Sequence, residues 1–382
     1  APVLMAGLYF LFLAEPGVSR LYFISWLLVL YMGTSILALS HAAWAATLAP
    51  QYNDRSRLFG IMTAIGVCGA ASVLAIPIVN DGRGVSDAVN VPAMGWFLLL
   101  LTPVTAAVVA AFTPEKIAPE IKGHEFRLRD YGALITRPTF MRILLADLCL
   151  ALGPGWMSAS YLFYFTDARG FTTGQASILL ASYILAGIVG APLMGRLAMR
   201  ISKHRALMVS STGFALTILT FPLIPQGSLL TAFFPLFLAG VFAAGFNVLG
   251  RAMTADIADE VRLEQGKERS GLLYAITTMT TKIAGAFSIG LTFFVLSRVG
   301  YDARSGAGNT AEAIRNLEWA FLAGPVFFVA LGGACMVGYR LGADRHAEIR
   351  RQLDERDALY DGAPIVETVT AEAAIAAPSK SV

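Results

Sequence analysis

Charge, cysteine and histidine are all scarce in this chain. Of its 382 residues only 14% are Asp, Glu, Lys or Arg, against about 25% in an ordinary soluble domain. With 56% hydrophobic residues and a mean hydropathy of +0.63, this scarcity excludes a water-soluble protein and places the chain in lipid. The three cysteines, Cys68, Cys149 and Cys335, all fall in apolar stretches, which excludes a disulfide framework. The four histidines, His41, His124, His204 and His346, are scattered and show no His-Glu-x-x-His spacing. A membrane-embedded metalloenzyme therefore has no ligand set, and no catalytic residue, metal or cofactor is expected. A net charge of +3 gives no ground for a nucleic-acid partner.

What the chain has instead is long apolar runs. A helix needs about 20 apolar residues to cross the hydrocarbon, and candidate spans lie at 3–14, 21–49, 58–79, 92–113, 142–165, 174–199, 206–224, 228–255, 271–298 and 317–342. The expected class is an all-α, multi-pass membrane protein. The first run is too short to cross, and it starts at Ala1-Pro2-Val3 with no Met and no basic segment before it. It reads as the end of a helix in a truncated chain, not as a signal peptide.

The remaining organisation follows from charge. Lys and Arg are retained on the cytoplasmic side, and alternate loops with the span ends beside them carry 22 and 6 of them, while Lys282 lies inside a span. The alternation predicts a cytoplasmic C-terminus. A polar segment rich in Lys116, Glu120, Lys122, Glu125, Arg127, Arg129 and Asp130 divides the spans into four and six. Transporters built from two six-helix halves carry a linker after the sixth helix, so two N-terminal helices are expected to be absent here. The expected organisation is an incomplete bundle over 1–113, a linker over 114–141, a six-helix bundle over 142–343 and a cytoplasmic tail over 344–382. The tail begins as a charged amphipathic helix and turns Ala-rich and disorder-prone from about Gly362.

Charged groups within a span cost about 2.5 to 3.5 kcal/mol on insertion scales and require a partner or an aqueous cavity. Lys282, inside Thr277-Thr278-Met279-Thr280-Thr281-Lys282, sits too deep for its stem to snorkel easily. It is either a cation-coupling group or half of a static salt bridge. Thr278, one turn earlier, shares its face. Asp147 lies about one and a half turns into its span and is the second candidate for coupling, or a helix-end carboxylate paired with a neighbour. On the same run, Gly153-Pro154-Gly155 marks a hinge, and Tyr161 and Tyr164 line a substrate cavity or anchor at the interface. Ser40 and Trp44 stack on one face, where an indole beside hydroxyls suits a sugar or another amphipathic ligand. His41 relays protons or stays neutral and hydrogen-bonded. Asn247 and Arg251 share a face, and Asp256 and Asp259 close the inner end of that helix as gating or structural ion pairs, with Arg55, Arg57, Arg262, Lys267 and Arg269 as candidate partners.

Several of these residues together resemble a known group. Asn53-Asp54-Arg55-Ser56-Arg57-Leu58 after Trp44, Ala255-Asp256-Ile257-Ala258-Asp259, and the Thr-rich run with Lys282 ending at Val299-Gly300-Tyr301 are similar to the glycoside-pentoside-hexuronide:cation symporters, the melibiose-permease-like family. The resemblance covers nearly the whole chain and places Ala1 within the third of twelve helices. It implies a major facilitator fold with about ten of twelve helices, and alternating-access symport of a sugar or glycoside with Na⁺ or H⁺. A monomer in a bacterial inner membrane is expected.

Carried over residue by residue, the resemblance makes Trp44 the sugar-stacking aromatic, Thr278 a hydroxyl near the site and Lys282 the coupling lysine. Asp54, Arg55, Arg57, Arg251, Asp256 and Asp259 make the cytoplasmic gate; Ser40, His41, Tyr161, Tyr164 and Asn247 complete the substrate-binding candidates. The chain departs from the pattern where Ser40 replaces an acidic residue, Ile65 an arginine and Asn247 an aromatic. A lipid-like or other amphipathic solute is the alternative substrate, because relatives include lipid carriers. A non-transporting sensor or scaffold in the same fold is the alternative from another class.

Overall fold

The computed structural model describes residues 1–15, 17–48, 52–113, 132, 134–265, 270–304 and 308–361; the side chains of 39, 42–48, 52–61, 63, 64, 87, 265, 270 and 357–361 lie outside the description. Among the described residues every regular element is helical. The helices are α1 (Pro2–Phe12), α2 (Arg20–Leu48), α3 (Tyr52–Gly82), α4 (Asn90–Phe112), α5 (Pro138–Phe163), α6 (Thr173–Ile201), α7 (Lys203–Ile218), α8 (Leu229–Gln265), α9 (Ser270–Arg298), α10 (Ala311–Ala334) and α11 (Ala343–Asp361). Nine of them are long and apolar enough to cross a membrane, while Pro2–Phe12 is a shorter apolar helix. The helices answer to the ten apolar runs of the sequence, because in hydrocarbon each segment must satisfy its own backbone hydrogen bonds.

Local chemistry sets the helix starts. Pro138 occupies the first turn of α5, where its missing N–H costs nothing. Thr172 caps α6: its Oγ1 accepts from the Gln175 N–H at 3.2 Å, while Gln175 Oε1 accepts from the Thr172 N–H at 3.1 Å, a reciprocal capping box. Thr310 Oγ1 accepts from the Ala313 N–H at the start of α10. At its far end α5 widens into a π-helical turn, Tyr164–Ala168.

Packing divides the helices into two groups. In the first, α1 packs on α2 and α4 around Leu4, Leu8 and Leu99. The second holds α5 to α11, with α6 against α8 and α5 against both α9 and α10. Small residues permit these crossings, since close backbone approach supplies the van der Waals contact that drives association in lipid. Gly190 lies against the Val241 backbone, Gly240 against the Tyr183 carbonyl and Gly324 beneath the Trp156 ring. The Trp156 indole also donates to the Ala320 carbonyl at 3.0 Å. The two groups meet chiefly where α3 packs on α6.

The long-range contacts also separate the two ends of the bundle. At one end lie Arg137–Glu264 and Lys203–Asp256; at the other lie Asp81–Thr172 and Asp167–Tyr301. Among the described residues, the segments around Arg137, Lys203 and Asp256 therefore lie at one end, the Lys/Arg-rich one, and those around Asp81 and Asp167 at the other.

Candidate functional site

Three helices of the second group each turn one polar face toward a common space. Asp147, Leu150, Ala151 and Pro154 recur on α5, Asn247, Gly250, Arg251 and Thr254 on α8, and Tyr274, Thr277, Thr278, Thr281 and Lys282 on α9, spacings that align side chains on one side of a helix. A cavity of about 480 Å³ is lined by Asp147, Asn247, Arg251, Thr277, Thr278, Thr281 and Lys282, among others. It adjoins a second of about 370 Å³, which shares Asp147, Asn247 and Thr281 but is otherwise walled mainly by apolar groups such as Leu150, Ala151, Ile184, Ala243, Ala244 and Phe246. Each volume is in the range of small-molecule sites.

The polar wall holds its charges in specific ways. Thr281 Oγ1 donates to Asp147 Oδ2 at 2.9 Å, although the Thr277 carbonyl at 3.1 Å competes for the same hydroxyl proton. Lys282 is exposed to the cavity, and its Nζ donates to Ser35 Oγ of α2 at 3.1 Å. Among the described residues it forms no ion pair. Lys282 is thus an exposed side chain, about 18 Å along α9 from Ser270 at 1.5 Å per residue, that links the two helix groups. The Tyr274 hydroxyl donates to the Arg251 carbonyl at 3.2 Å, which anchors α9 to α8 beside the cavity.

Of the sequence candidates, Asp147, Asn247, Arg251, Thr278 and Lys282 converge here. Thr277 and Thr281 were legible as hydroxyls in the same run but were not singled out. Ser40 and His41 face a different, mainly apolar groove with Leu37, Thr102 and Val109. The side chains of Trp44, Asp54, Arg55 and Arg57 lie outside the described ones. Tyr161 edges a third cavity, about 950 Å³, toward the end opposite the Lys/Arg-rich one, and its hydroxyl is committed to the Ala176 carbonyl at 2.9 Å.

One assignment needs correction. Tyr164 does not line a cavity. It is fully buried, stacked on Phe321 with ring centroids 4.0 Å apart, and its hydroxyl accepts from Arg169 Nε at 3.0 Å. Arg169 in turn pairs with Glu318 at 2.9 Å. The physical reason is that Tyr164 continues the buried face of Met157 and Tyr161 on α5 and joins an aromatic core with Phe165, Phe221 and Phe321, where a buried guanidinium needs its acceptor.

Asp256 and Asp259 form ion pairs, one of the two roles that the sequence leaves open, while the side chains of Arg55, Arg57, Lys267 and Arg269 lie outside the described ones. Lys203 Nζ donates to Asp256 at 2.5 Å, and His346 Nε2 lies 3.3 Å from Asp256 and 3.0 Å from Asp259. Arg350 reaches Asp259 at 3.3 Å. These partners belong to α7 and α11 of the same group, so among the described residues the two carboxylates clamp the tail helix. Ile349 and Leu353 bury the apolar side of α11, which positions His346 and Arg350. The partners lie 53 to 91 residues away, beyond any local pattern.

Residues 1–343 match the family described as MFS/sugar transport protein. Among curated proteins, the sodium-dependent lysophosphatidylcholine symporter 1-A of Danio rerio is 24% identical over 219 residues, 56% of this chain and 40% of that protein. The chain therefore aligns with less than half the length of this relative. A crystal structure of a bacterial homologue of the iron transporter ferroportin in its outward-facing state aligns with 88% of this chain and 82% of that one, at 14% identity and a TM-score of 0.48. With all but its last 39 residues matched by one family, and with nine described helices able to cross a bilayer, the chain is a multi-pass membrane protein that belongs to the MFS/sugar transport protein family.

Proposed function

We propose that the protein is a cation-coupled symporter for an amphipathic, lipid-like solute, working by alternating access. The observation that carries this reading is the two-sided cavity: charged and hydroxyl groups at Asp147, Asn247, Arg251, Thr281 and Lys282 on one side, small apolar groups at Ala151, Ile184, Ala243 and Ala244 on the other. A polar head group is held by the first and a hydrocarbon part by the second, which avoids burying apolar surface against charges. The name of the zebrafish relative, a sodium-dependent lysophosphatidylcholine symporter, supports both the solute class and the coupling.

In this reading Asp147 receives the coupling Na⁺ or H⁺, and Lys282 and Arg251 balance an anionic head group. Sugar or glycoside symport is the second reading. It is supported by the family description and by the dense hydroxyl and amide lining at Asn247, Thr277, Thr278 and Thr281. The protein acts as a monomer in a bacterial inner membrane, with the Lys/Arg-rich end and α11 on the cytoplasmic side.

The test is uptake by the full-length protein in proteoliposomes under imposed Na⁺ or H⁺ gradients, offering labelled lysophospholipids beside a panel of labelled sugars and uronates. Gradient-driven lysophospholipid uptake, with an Asp147→Asn variant that still binds solute but ignores the gradient, is the expected result. Uptake restricted to sugars would replace the first reading by the second. Full gradient response in Asp147→Asn would remove Asp147 from coupling.

A further inference from the structure

We infer that Asp81 and the N-terminus of α6 form a latch that closes the end of the transporter opposite its Lys/Arg-rich loops. Asp81 stands at the last turn of α3, in the first helix group, and Thr172 caps α6 in the second. The Thr172 hydroxyl donates to Asp81 Oδ2 at 2.6 Å, a short hydrogen bond of the charge-assisted kind. The same oxygen accepts the Gln175 N–H at 3.2 Å. One hydroxyl thus serves as the cap of its own helix and as the donor that receives a carboxylate from across the group boundary.

Two further features act at the same point. The α6 N-terminus carries the positive end of the helix dipole, which favours a carboxylate within its first turn. Gly174, the second residue of α6, leaves room for the approach, and a methyl group there would run into the Asp81 side chain. Hydrogen bond, dipole and steric fit therefore converge on Asp81, at one end of the α3–α6 contact that chiefly joins the two groups. The third cavity begins beside it, with Pro77, Asn90 and Met94 from the first group and Thr173, Ala176 and Ser177 from α6 in its wall. Parting of Asp81 from Thr172 opens a mouth to that space.

The latch rests on the alternating-access reading, yet its test is independent of substrate and of transport. In the full-length protein, with Cys68, Cys149 and Cys335 replaced by serine, spin labels are attached through Arg83→Cys after α3 and Gln226→Cys between α7 and α8. Both positions are exposed at the latch end. Pulsed dipolar spectroscopy then reads the ratio of long to short label distances.

Asp81→Ala removes one charge-assisted hydrogen bond and raises that ratio about ten-fold. Gly174→Ala wedges the same contact without touching a polar group and shifts the ratio in the same direction. Thr172→Asp retains an acceptor for the α6 cap but opposes the two carboxylates; it opens the end further, and adding Asp81→Ala reverses part of that change. A distance distribution unchanged in Asp81→Ala and Gly174→Ala would overturn the latch, as would an opening by Thr172→Asp that Asp81→Ala leaves unaltered. Loss of transport with normal distance changes would count against the functional reading and leave the latch standing.

Discussion

Replacing Lys282 by methionine separates a transport lysine from a structural one, because the two roles predict stability changes of opposite sign. Lysine near the middle of a span costs about 2.5 to 3.5 kcal/mol on insertion scales. Its hydrogen bond to Ser35 at 3.1 Å returns about 1.5 to 3 kcal/mol for a charged donor. The difference leaves Lys282→Met between roughly neutral and about 2 kcal/mol more stable, and the exposure of Lys282 keeps the gain toward the lower figure. Were Lys282 half of a buried ion pair, its removal would strand a carboxylate and cost about 3 to 5 kcal/mol. Thermal unfolding in detergent, followed by labelling of the buried Cys149 thiol, measures the sign. Gradient-driven uptake in proteoliposomes measures the role: a variant as stable as the parent but unable to couple solute to the gradient is the expected outcome. A loss above about 3 kcal/mol, or full coupled uptake by a stable variant, would refute the reasoning.

Tyr164→Phe removes the acceptor of Arg169 Nε and lowers stability by about 1 to 3 kcal/mol through a buried charged donor left short of a partner; solute affinity, read by equilibrium binding, stays unchanged, and a weakened affinity would return Tyr164 to the site. On the tail helix, Glu348 accepts from Arg351 and Gln352, and these bonds hold its carboxyl down at about 2, below its ordinary 4.5. A depressed carboxyl contributes stability above the unfolded value and loses it as pH falls through the folded one, so α11 loosens between about pH 4.5 and 2. Hydrogen exchange across α11 checks this, and Glu348→Gln flattens the dependence over that window.

The membrane class and the apolar helices were legible in the sequence, as was the common end shared by the described Lys/Arg-rich segments around Arg137 and Lys203. Span length and loop charge are properties of single segments, set by bilayer thickness and by charge retention, and need no knowledge of which helices touch. Candidate polar faces were legible for the same reason: Asn247 with Arg251, and Thr278 with Lys282, follow from helical spacing alone. Tertiary structure decided which faces meet. It brought Asp147, Asn247, Arg251 and Lys282 to one cavity, sent Ser40 and His41 to another, and gave Lys282 a hydroxyl of α2 where a carboxylate was one of the sequence alternatives. It buried Tyr164, because Phe221 and Phe321, from segments far along the chain, pack against its ring. It also paired Asp256 and Asp259 with Lys203, His346 and Arg350, because an ion pair depends on distances across the bundle, whereas span and sidedness depend only on the hydrophobicity and charge of each segment in turn.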